Sequence, residues 1–436
     1  MSRNSQQWAQ KPSLPPTHYA DPMIYSDPAI FEEEKEKIFK KVWMLAIHES
    51  EVANANDFRT YQHPGGTRLV IMRGEDMKIR TFYNICTHRG NLLVYEPSGN
   101  AKKLVCIFHQ WAFDAKGDCV DIPRGKAGYQ ERICESDVGL KEVRTEVGYG
   151  GFVWVNLDDS CGPLSEHIGS SLDYMLPELE AEPLEVLWYY QATLRTNFKL
   201  IHDTNSEFYH DYLHYHNRIT GMLDPKSGYF QRKYTAFPNG HASVGSMNVS
   251  YDAYTGSGHS KLGWPKLPTN GWKLVDLFPC ITFNLRTSVL RIDSYIPLGP
   301  DHVILEFRIL GLKSDTPEIR QQREKDAATI WSPFGRNLHE DLLASSGQGM
   351  AMAKGSDPMY VLHAREEDLT IHDEVGMRHY LEEWSKRMGR SSSDPMHPAT
   401  APKQQTAAPM PKTKDVAQPE SPRVLRRLLS LRRWSH

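Results

Sequence analysis

No run of about 18 uncharged apolar residues occurs anywhere in the 436-residue chain, so the sequence offers no membrane-spanning helix. The opening stretch MSRNSQQWAQKPSLPPTHYADP has no apolar core of signal-peptide length, and a soluble cytoplasmic protein is expected. Charge of one sign is also missing: 51 basic against 54 acidic residues leave a net charge of −3. Such a balance gives no global pull toward nucleic acid. Cysteine is scarce. The six at 86, 106, 119, 134, 161 and 280 are too few for a disulfide framework in a chain this long, and a reducing compartment favours metal binding over bridges. No Gly-x-Gly-x-x-Gly follows a strand-like run, so no dinucleotide or flavin fingerprint is present, and no internal repeat is visible. What the chain does have is 39% hydrophobic and 10% aromatic residues, enough to fill two domains or one with a sizeable insertion.

Asp27 to Val52 begins with an acidic turn and carries apolar residues at helical spacing as far as Trp43, which predicts a helix leading into a strand. From Phe58 to about Leu157 short alternating runs are broken by Pro-Gly-Gly, Arg-Gly, Pro-Ser-Gly and Lys-Gly, the pattern of a small all-β module. Tyr149 to Asn156 is its last expected strand. From Glu182 to about Glu306 strand-like runs return around one helical insertion over 204–218, and helices are expected over Pro317 to Ile330, near 336–353, and over Glu366 to Met388. Sheet and helix are mixed but segregated, so the fold class is α+β. Residues from Ser391 to Pro422 are Pro-, Ser-, Ala-, Gln- and Lys-rich with few aromatics and are expected to be disordered. The end, PRVLRRLLSLRRWSH, is either a solvated basic tail or a segment that folds on an anionic membrane or a partner groove.

One stretch carries metal chemistry: Cys86-Thr-His88, seventeen residues, then Cys106-Ile-Phe-His109-Gln-Trp111. Two turns each present one cysteine and one histidine to a common point. Zinc fingers usually group a cysteine pair before a histidine pair, whereas a Rieske [2Fe–2S] centre holds one iron by two cysteines and the other by two histidines. The interleaved order resembles Rieske proteins. The extra cysteine pair of membrane-complex Rieske proteins is missing, since Arg89-Gly90-Asn91 follows His88 and Phe108 precedes His109. His-Arg-Gly resembles the oxygenase type instead. Trp111 is expected to pack against the cluster, although an ordinary core tryptophan accounts for it equally well.

A Rieske ferredoxin needs only about a hundred residues, so the rest of the chain requires its own explanation. In Thr204-Asn-Ser-Glu207-Phe-Tyr-His210-Asp-Tyr-Leu-His214-Tyr-His216, a helix would bring Glu207, His210 and His214 within a narrow arc of one face, where two histidines and a carboxylate can meet one ion. Thr204-x-x-Glu207 also fits a capping box, and the two roles are compatible.

With these residues the chain resembles the large (α) subunits of Rieske non-heme iron oxygenases, the aromatic-ring-hydroxylating family. The likeness runs from about Tyr25 to Met388. It is carried by DPAIFEEEKEKIFKKVW before the module, GFVWVNLDDSCGPLSEHIG after it, Asn197-Phe-Lys ahead of the histidines and Leu277-Phe-Pro in the later sheet. The resemblance implies an all-β Rieske domain over 41–160 inserted in a catalytic domain built on an antiparallel sheet with helices, of helix-grip, START-like type. That domain would comprise 1–40 and 161–390, followed by a tail over 391–436. It implies a [2Fe–2S] cluster on Cys86, His88, Cys106 and His109 and a mononuclear Fe(II) on a 2-His-1-carboxylate triad. His210 and His214 are the expected histidines, with His216 the alternative, because the family usually separates them by five positions. Asn337-Leu-His-Glu-Asp-Leu supplies the carboxylate, Asp341, with Glu340 as alternative. Glu207 takes the place of the carboxylate lying between the two iron centres, where many members have Asp. The implied activity is O₂-dependent dihydroxylation of an aromatic ring, or monooxygenation by hydroxylation or demethylation. Electrons would come from NAD(P)H through a separate ferredoxin and/or flavin reductase, in a trimer with or without a small β subunit. The competing reading is an electron carrier that keeps only the Rieske cluster.

Overall fold

A computed structural model describes residues 11–398, apart from 220–222, 225, 227–231, 249–261, 270, 333–334, 336 and 354–358. The expected N-terminal helix forms as α1, Pro28–Glu34: Asp27 accepts from the amides of Ala29 and Ile30 at 2.7 and 3.1 Å, and Pro28 sits in the first turn, where its missing N–H costs nothing. It continues through a π turn, Lys35–Phe39, into strand β1, Met44–His48.

The all-β lobe follows: β2 Asp57–Gln62, β3 Arg68–Arg73, β4 Ile79–Tyr83, β5 Ser98–Asn100, β6 Lys103–Val105, β7 Ala112–Asp114, β8 Cys119–Asp121, β9 Glu142–Gly148 and β10 Phe152–Asn156. One seven-stranded sheet runs β1-β10-β9-β4-β3-β2-β5, and β6-β7-β8 form a separate three-stranded sheet. The last strand starts at Phe152 because Tyr149, Gly150 and Gly151 all have positive φ and make the turn before it.

The second sheet contains β11 Leu184–Leu194, β12 Tyr234–Phe237, β13 His241–Asn248, β14 Gly271–Leu277, β15 Ile281–Arg286, β16 Leu290–Gly299 and β17 His302–Leu312, in the order β11-β17-β16-β15-β14-β13-β12. Every pairing is antiparallel. Helices α2 (Phe198–Ser206), α3 (Pro317–Asp326), α4 (Leu338–Ala351) and α5 (Val375–Met388) accompany it. The fold is thus α+β, an all-β lobe and a helix-covered antiparallel sheet. Trp154 and Phe152 of β10 pack on Phe283 of β15 at 6.3 and 5.0 Å between ring centroids, so both sheets share one apolar core.

Polar contacts also tie them together. The buried Glu51 carboxylate takes the Arg308 and Arg59 guanidiniums, each at 2.7 Å, and Arg308 reaches Glu306 at 3.3 Å and the Ala46 carbonyl at 2.9 Å. The N-terminal segment belongs to the second sheet's side of the molecule. Tyr19–Ala20 pairs with Val361–Leu362, and the fully buried Glu34 accepts from Lys199 Nζ of α2 and Trp384 Nε1 of α5, both at 2.7 Å.

Three expectations need correction. The helix over 204–218 does not exist as one element: α2 ends at Ser206, Glu207 is extended (φ −150°, ψ 159°), and a 3₁₀ turn at Tyr209–Tyr212 precedes a short helix at Tyr215–Ile219. The helix expected from Glu366 starts only at Val375, because Asp373 accepts from the amides of Glu367, Leu369 and Val375 and folds the preceding segment into turns. Disorder does not begin at Ser391. Arg390–Ser391 pairs with Asp394–Pro398, the Asp21 amide donates to the Ser392 carbonyl, and Arg390 holds Glu33 at 2.6 Å. The remainder of the tail, including its basic end, lies outside the described residues.

Replacing Glu34 by Ala strands a buried ammonium, a loss of roughly 3–5 kcal/mol. A lowered denaturation midpoint is expected, and an unchanged one would show that this carboxylate does not hold α1, α2 and α5 together.

Candidate functional site: two metal-binding cradles

The first cradle is built by two turns of the same design. Gly90 N–H donates to the Cys86 carbonyl and Gln110 N–H to the Cys106 carbonyl, each at 2.9 Å, and both closing residues have positive φ, +70° and +62°. Gly90 accepts this freely, whereas Gln110 carries the cost of a side chain there. Cys86 and Cys106 are buried, and none of the six cysteines forms a disulfide. Burial pushes the Cys86 thiol up, with Cys106 beside it adding to the shift. The His88 and His109 rings stand 4.4 Å apart between centroids. Trp111 stacks flat on His88, at 4.7 Å and 5° between planes, and the Tyr129 hydroxyl lies 3.2 Å from His88 Nε2. Nε2 is thereby engaged, and Nδ1 is buried with no hydrogen-bond partner among the described residues. Two thiols, two imidazoles and an unsatisfied buried ring nitrogen fit a cluster held by two cysteines and two histidines. Ile107 and Phe108, between Cys106 and His109, are 65% and 57% exposed, so this end of the lobe is an apolar surface.

The second cradle depends on the break in α2. Asn197 caps that helix, accepting from the Lys199 amide at 3.0 Å, and Lys199 is fastened to Glu34. Thr204 does not cap anything; its hydroxyl donates back to the Ile201 carbonyl. Glu207 closes the next turn instead, accepting from the His210 amide at 3.1 Å and standing 2.9 Å from His210 Nδ1. His214 Nδ1 lies 2.8 Å from Glu340, the first-turn carboxylate of α4.

With both Nδ1 atoms engaged by carboxylates, both Nε2 lone pairs are directed elsewhere, as at metal-binding histidines. They meet at Asp341, whose Oδ1 is 3.7 Å from His210 Nε2 and 3.3 Å from His214 Nε2. Metal bonds of about 2.0–2.2 Å place neighbouring ligand atoms roughly 3 Å apart, so this triangle suits a single ion. Asp341 Oδ1 is buried and has no hydrogen-bond partner among the described residues. An orphaned carboxylate oxygen facing two imine nitrogens is a site for a cation.

Asp211 also brings a ligand atom within 4.8 Å of the two histidines. Its Oδ1, however, accepts from Asn217 at 3.0 Å, whereas Asp341 Oδ1 has no hydrogen-bond partner among the described residues. The surrounding charges suit a cation. Burial opposes charge on His210, yet Glu207, Asp341 and Asp211 override it and push the ring up to about 10. Burial pushes the Asp341 carboxyl up, against the pull of His214 and His210.

The cysteines and histidines at 86, 88, 106 and 109 are therefore brought together, as are His210, His214, Asp341 and Glu207. Glu340, the alternative carboxylate, contacts His214 from behind, and the side chain of His216 lies outside the described ones. Tyr129 and Asp211 escaped the sequence reading. Tyr129 had no signal, while Asp211, an acid beside a candidate ligand, had a weak one.

Among known proteins, the Rieske [2Fe-2S] domain profile matches residues 42–140 and the ring hydroxylating alpha subunit (catalytic domain) profile matches residues 180–390. The methanesulfonate monooxygenase hydroxylase subunit alpha of Methylosulfonomonas methylovora is 50% identical over 411 residues, covering 92% of this chain and 98% of that one. The 2-aminobenzenesulfonate 2,3-dioxygenase subunit alpha of an Alcaligenes species is 41% identical over 396 residues, covering 90% and 99%. A naphthalene 1,2-dioxygenase structure with indole bound superimposes with a TM-score of 0.73 at 19% identity, over 86% of this chain and 92% of that one. An all-β lobe with a Cys₂His₂ cradle, set on a helix-covered antiparallel sheet, is the architecture of Rieske-type oxygenases. The chain belongs to their ring-hydroxylating alpha-subunit family, whose members carry a Rieske cluster and a mononuclear iron.

Asp341→Asn is expected to lower iron from about three to about two per chain while leaving about two acid-labile sulfides, since the [2Fe–2S] ligands are untouched. Metal and sulfide analysis checks this, and loss of sulfide along with iron would overturn the separation of the two cradles.

Proposed function

We propose that this chain is the α subunit of a terminal oxygenase. In this reading Cys86, His88, Cys106 and His109 hold the Rieske cluster, His210, His214 and Asp341 hold Fe(II), and Glu207 links the two centres. The observation that carries it is the convergence of two carboxylate-backed histidines on the partnerless oxygen of Asp341. The first four residues would hold a cluster that supplies electrons singly, and the His-His-Asp set would hold a ferrous ion able to activate O₂.

The residues themselves have definable tasks. Glu207 and Glu340 fix the histidine tautomers by accepting from Nδ1, and burial around Asp341 keeps water from competing at the reacting centre. Two electrons, two protons and O₂ convert a C–H bond to C–OH with release of water, or place both oxygen atoms on an arene as a cis-dihydrodiol. The electrons come from NAD(P)H through a ferredoxin and/or flavin reductase, in keeping with a chain that has no dinucleotide fingerprint. Assembly as a trimer, with one subunit's cluster serving its neighbour's iron through Glu207, fits the 13% exposure of that side chain and the exposed Tyr209, Tyr212 and Tyr215 nearby. Both relatives are named as alpha subunits, which supports a small β partner.

The substrate we infer is an organosulfonate, the class in both relatives' names. Monooxygenation of a small sulfonate is the first reading, favoured by the 50% identical methanesulfonate monooxygenase subunit. Dihydroxylation of an aromatic sulfonate is the second reading, favoured by the 41% identical dioxygenase.

Glu207→Gln is expected to retain both metals and lose coupled turnover, by about 10² or more for a group that positions the electron path; normal coupled activity in this variant would remove its linking role. Low-temperature EPR with iron analysis of reduced, anaerobically purified protein tests the reading as a whole. A Rieske signal with about three irons per chain is expected. A reproducible value of two after Fe(II) loading would leave only an electron carrier.

A further inference from the structure

Between β8 and β9 the chain leaves the sheets over residues 122–141 and builds a five-residue helix, Gly125–Tyr129. Left-handed residues bracket that helix: Arg124 before it has φ +56°, and Gln130 and Glu131 after it have +51° and +61°. None of the three is glycine, so each carries the steric cost of a side chain in that region. Such conformations persist where the surroundings over-determine them, and they gather at functional sites. Here the surroundings are the lobe's own core and the turn that carries His88. Ile122 is buried in that core, and Tyr129 and Val138 pack against it. Thr87, the residue before His88, donates its hydroxyl to the Val138 carbonyl at 2.7 Å, and the Leu140 amide donates to the Gly117 carbonyl at 2.7 Å. The excursion is thereby fastened to the first cradle.

What this strained segment delivers is Tyr129. Its hydroxyl lies 3.2 Å from His88 Nε2, and its ring stands edge-on to His88 at 6.5 Å and to Trp111 at 6.1 Å. With Trp111 flat on its face, the His88 ring is held on two sides. A neutral imidazole that coordinates through the buried, partnerless Nδ1 carries its proton on Nε2, and that N–H donates to the phenolic oxygen. His109 is treated differently: the Phe108 ring lies 3.8 Å away, and neither ring nitrogen has a hydrogen bond among the described residues. The two histidines of one cradle are therefore unequal. A partner that accepts from the far nitrogen of a metal-bound histidine fixes the ring and raises its basicity. A more basic ligand favours the more highly charged iron, which lowers the reduction potential.

We propose that Tyr129 is a positioning residue of the first cradle: its phenolic oxygen accepts from His88 Nε2, orients that ring for coordination through Nδ1, and keeps the potential of the iron on the histidine side lower than the same cradle would give without it. The inference rests on the reading of Cys86, His88, Cys106 and His109 as the Rieske ligands. The step that it tunes is the arrival of one electron from the ferredoxin or flavin donor, which reduces one ferric iron to ferrous. No bond breaks in that step, and the Nε2 proton stays on His88.

The test is a redox titration followed by EPR on the anaerobically purified full chain and on Tyr129→Phe, which keeps the ring and its packing and removes only the hydroxyl. Iron and acid-labile sulfide are expected to be the same in both. In the variant the ratio of oxidised to reduced cluster at a fixed ambient potential should fall by about 3- to 10-fold, an upward shift of roughly 30–60 mV for a one-electron couple. Pulsed EPR of the reduced protein should show two unequal histidine nitrogens in the unaltered chain, and Tyr129→Phe should change the coupling of one of them. A purely structural tyrosine would move neither reading while the cluster is retained. Unchanged potential and couplings in a variant with full sulfide content overturn the proposal and leave the cluster reading standing. Should Tyr129→Phe fail to fold or lose sulfide, the unaltered chain decides: unequal nitrogen couplings support the one-sided hydrogen bond, and equal couplings overturn it. Absence of any Rieske signal from the unaltered, iron- and sulfide-loaded chain removes the cluster reading, and the role of Tyr129 with it.

Discussion

A single buried ion pair sets the frame on which the catalytic side of the molecule is assembled. Glu34, fully enclosed, accepts from Lys199 and from the Trp384 indole, and so fastens α1, α2 and α5 at one point. Burial pushes the Lys199 ammonium down and Glu34 opposes that shift, the balance expected where a desolvated charge survives only through its partner. Lys199 is the second residue of α2, and α2 delivers Ser206 and Glu207 to the site. The direction of that helix, and hence the location of the break at its end, follows from a contact with the N-terminal segment.

From that break the chemistry unfolds by geometry. An uninterrupted helix would carry Glu207 past His210 on the same cylinder. With Glu207 extended and the 3₁₀ turn behind it, the carboxylate instead folds back onto the His210 amide and ring. The histidine is oriented from one side by Glu207, and His214 from the other by Glu340, leaving their free nitrogens to meet Asp341. Four carboxylates, those of Glu207, Asp211, Glu340 and Asp341, surround two imidazoles in a buried volume. Such an assembly suits a cation.

The two cysteines and two histidines of the first cradle were legible from the sequence because the turns that present them are local. Each turn closes over five residues, and Trp111, stacked on His88, comes from the second turn itself. The histidines of the second site were found by helical periodicity although no continuous helix joins them. The offsets of three and four residues keep side chains close in a 3₁₀ turn as well as in an α-helix, so the same residues come together although the expected element does not form. Helical phase separated Asp341 from Glu340. Consecutive helix positions point about 100° apart, and α4 is docked so that Asp341 faces the histidine nitrogens while Glu340 meets His214 from behind.

Thus the amino-acid sequence alone determined the α+β class, the two metal-binding motifs and the family they belong to, since short spacings and binary patterns act over a few residues. Tertiary structure alone decided that Asp341 rather than Glu340 faces the two histidine Nε2 atoms, that Asp211 accepts from Asn217, and that residues 391–398 are tied back to Asp21 and Glu33. It also decided that Tyr129 lies against His88. Those groupings depend on strand register and helix docking between segments far apart in the chain, and no local pattern encodes which side chains will meet once the sheets have formed.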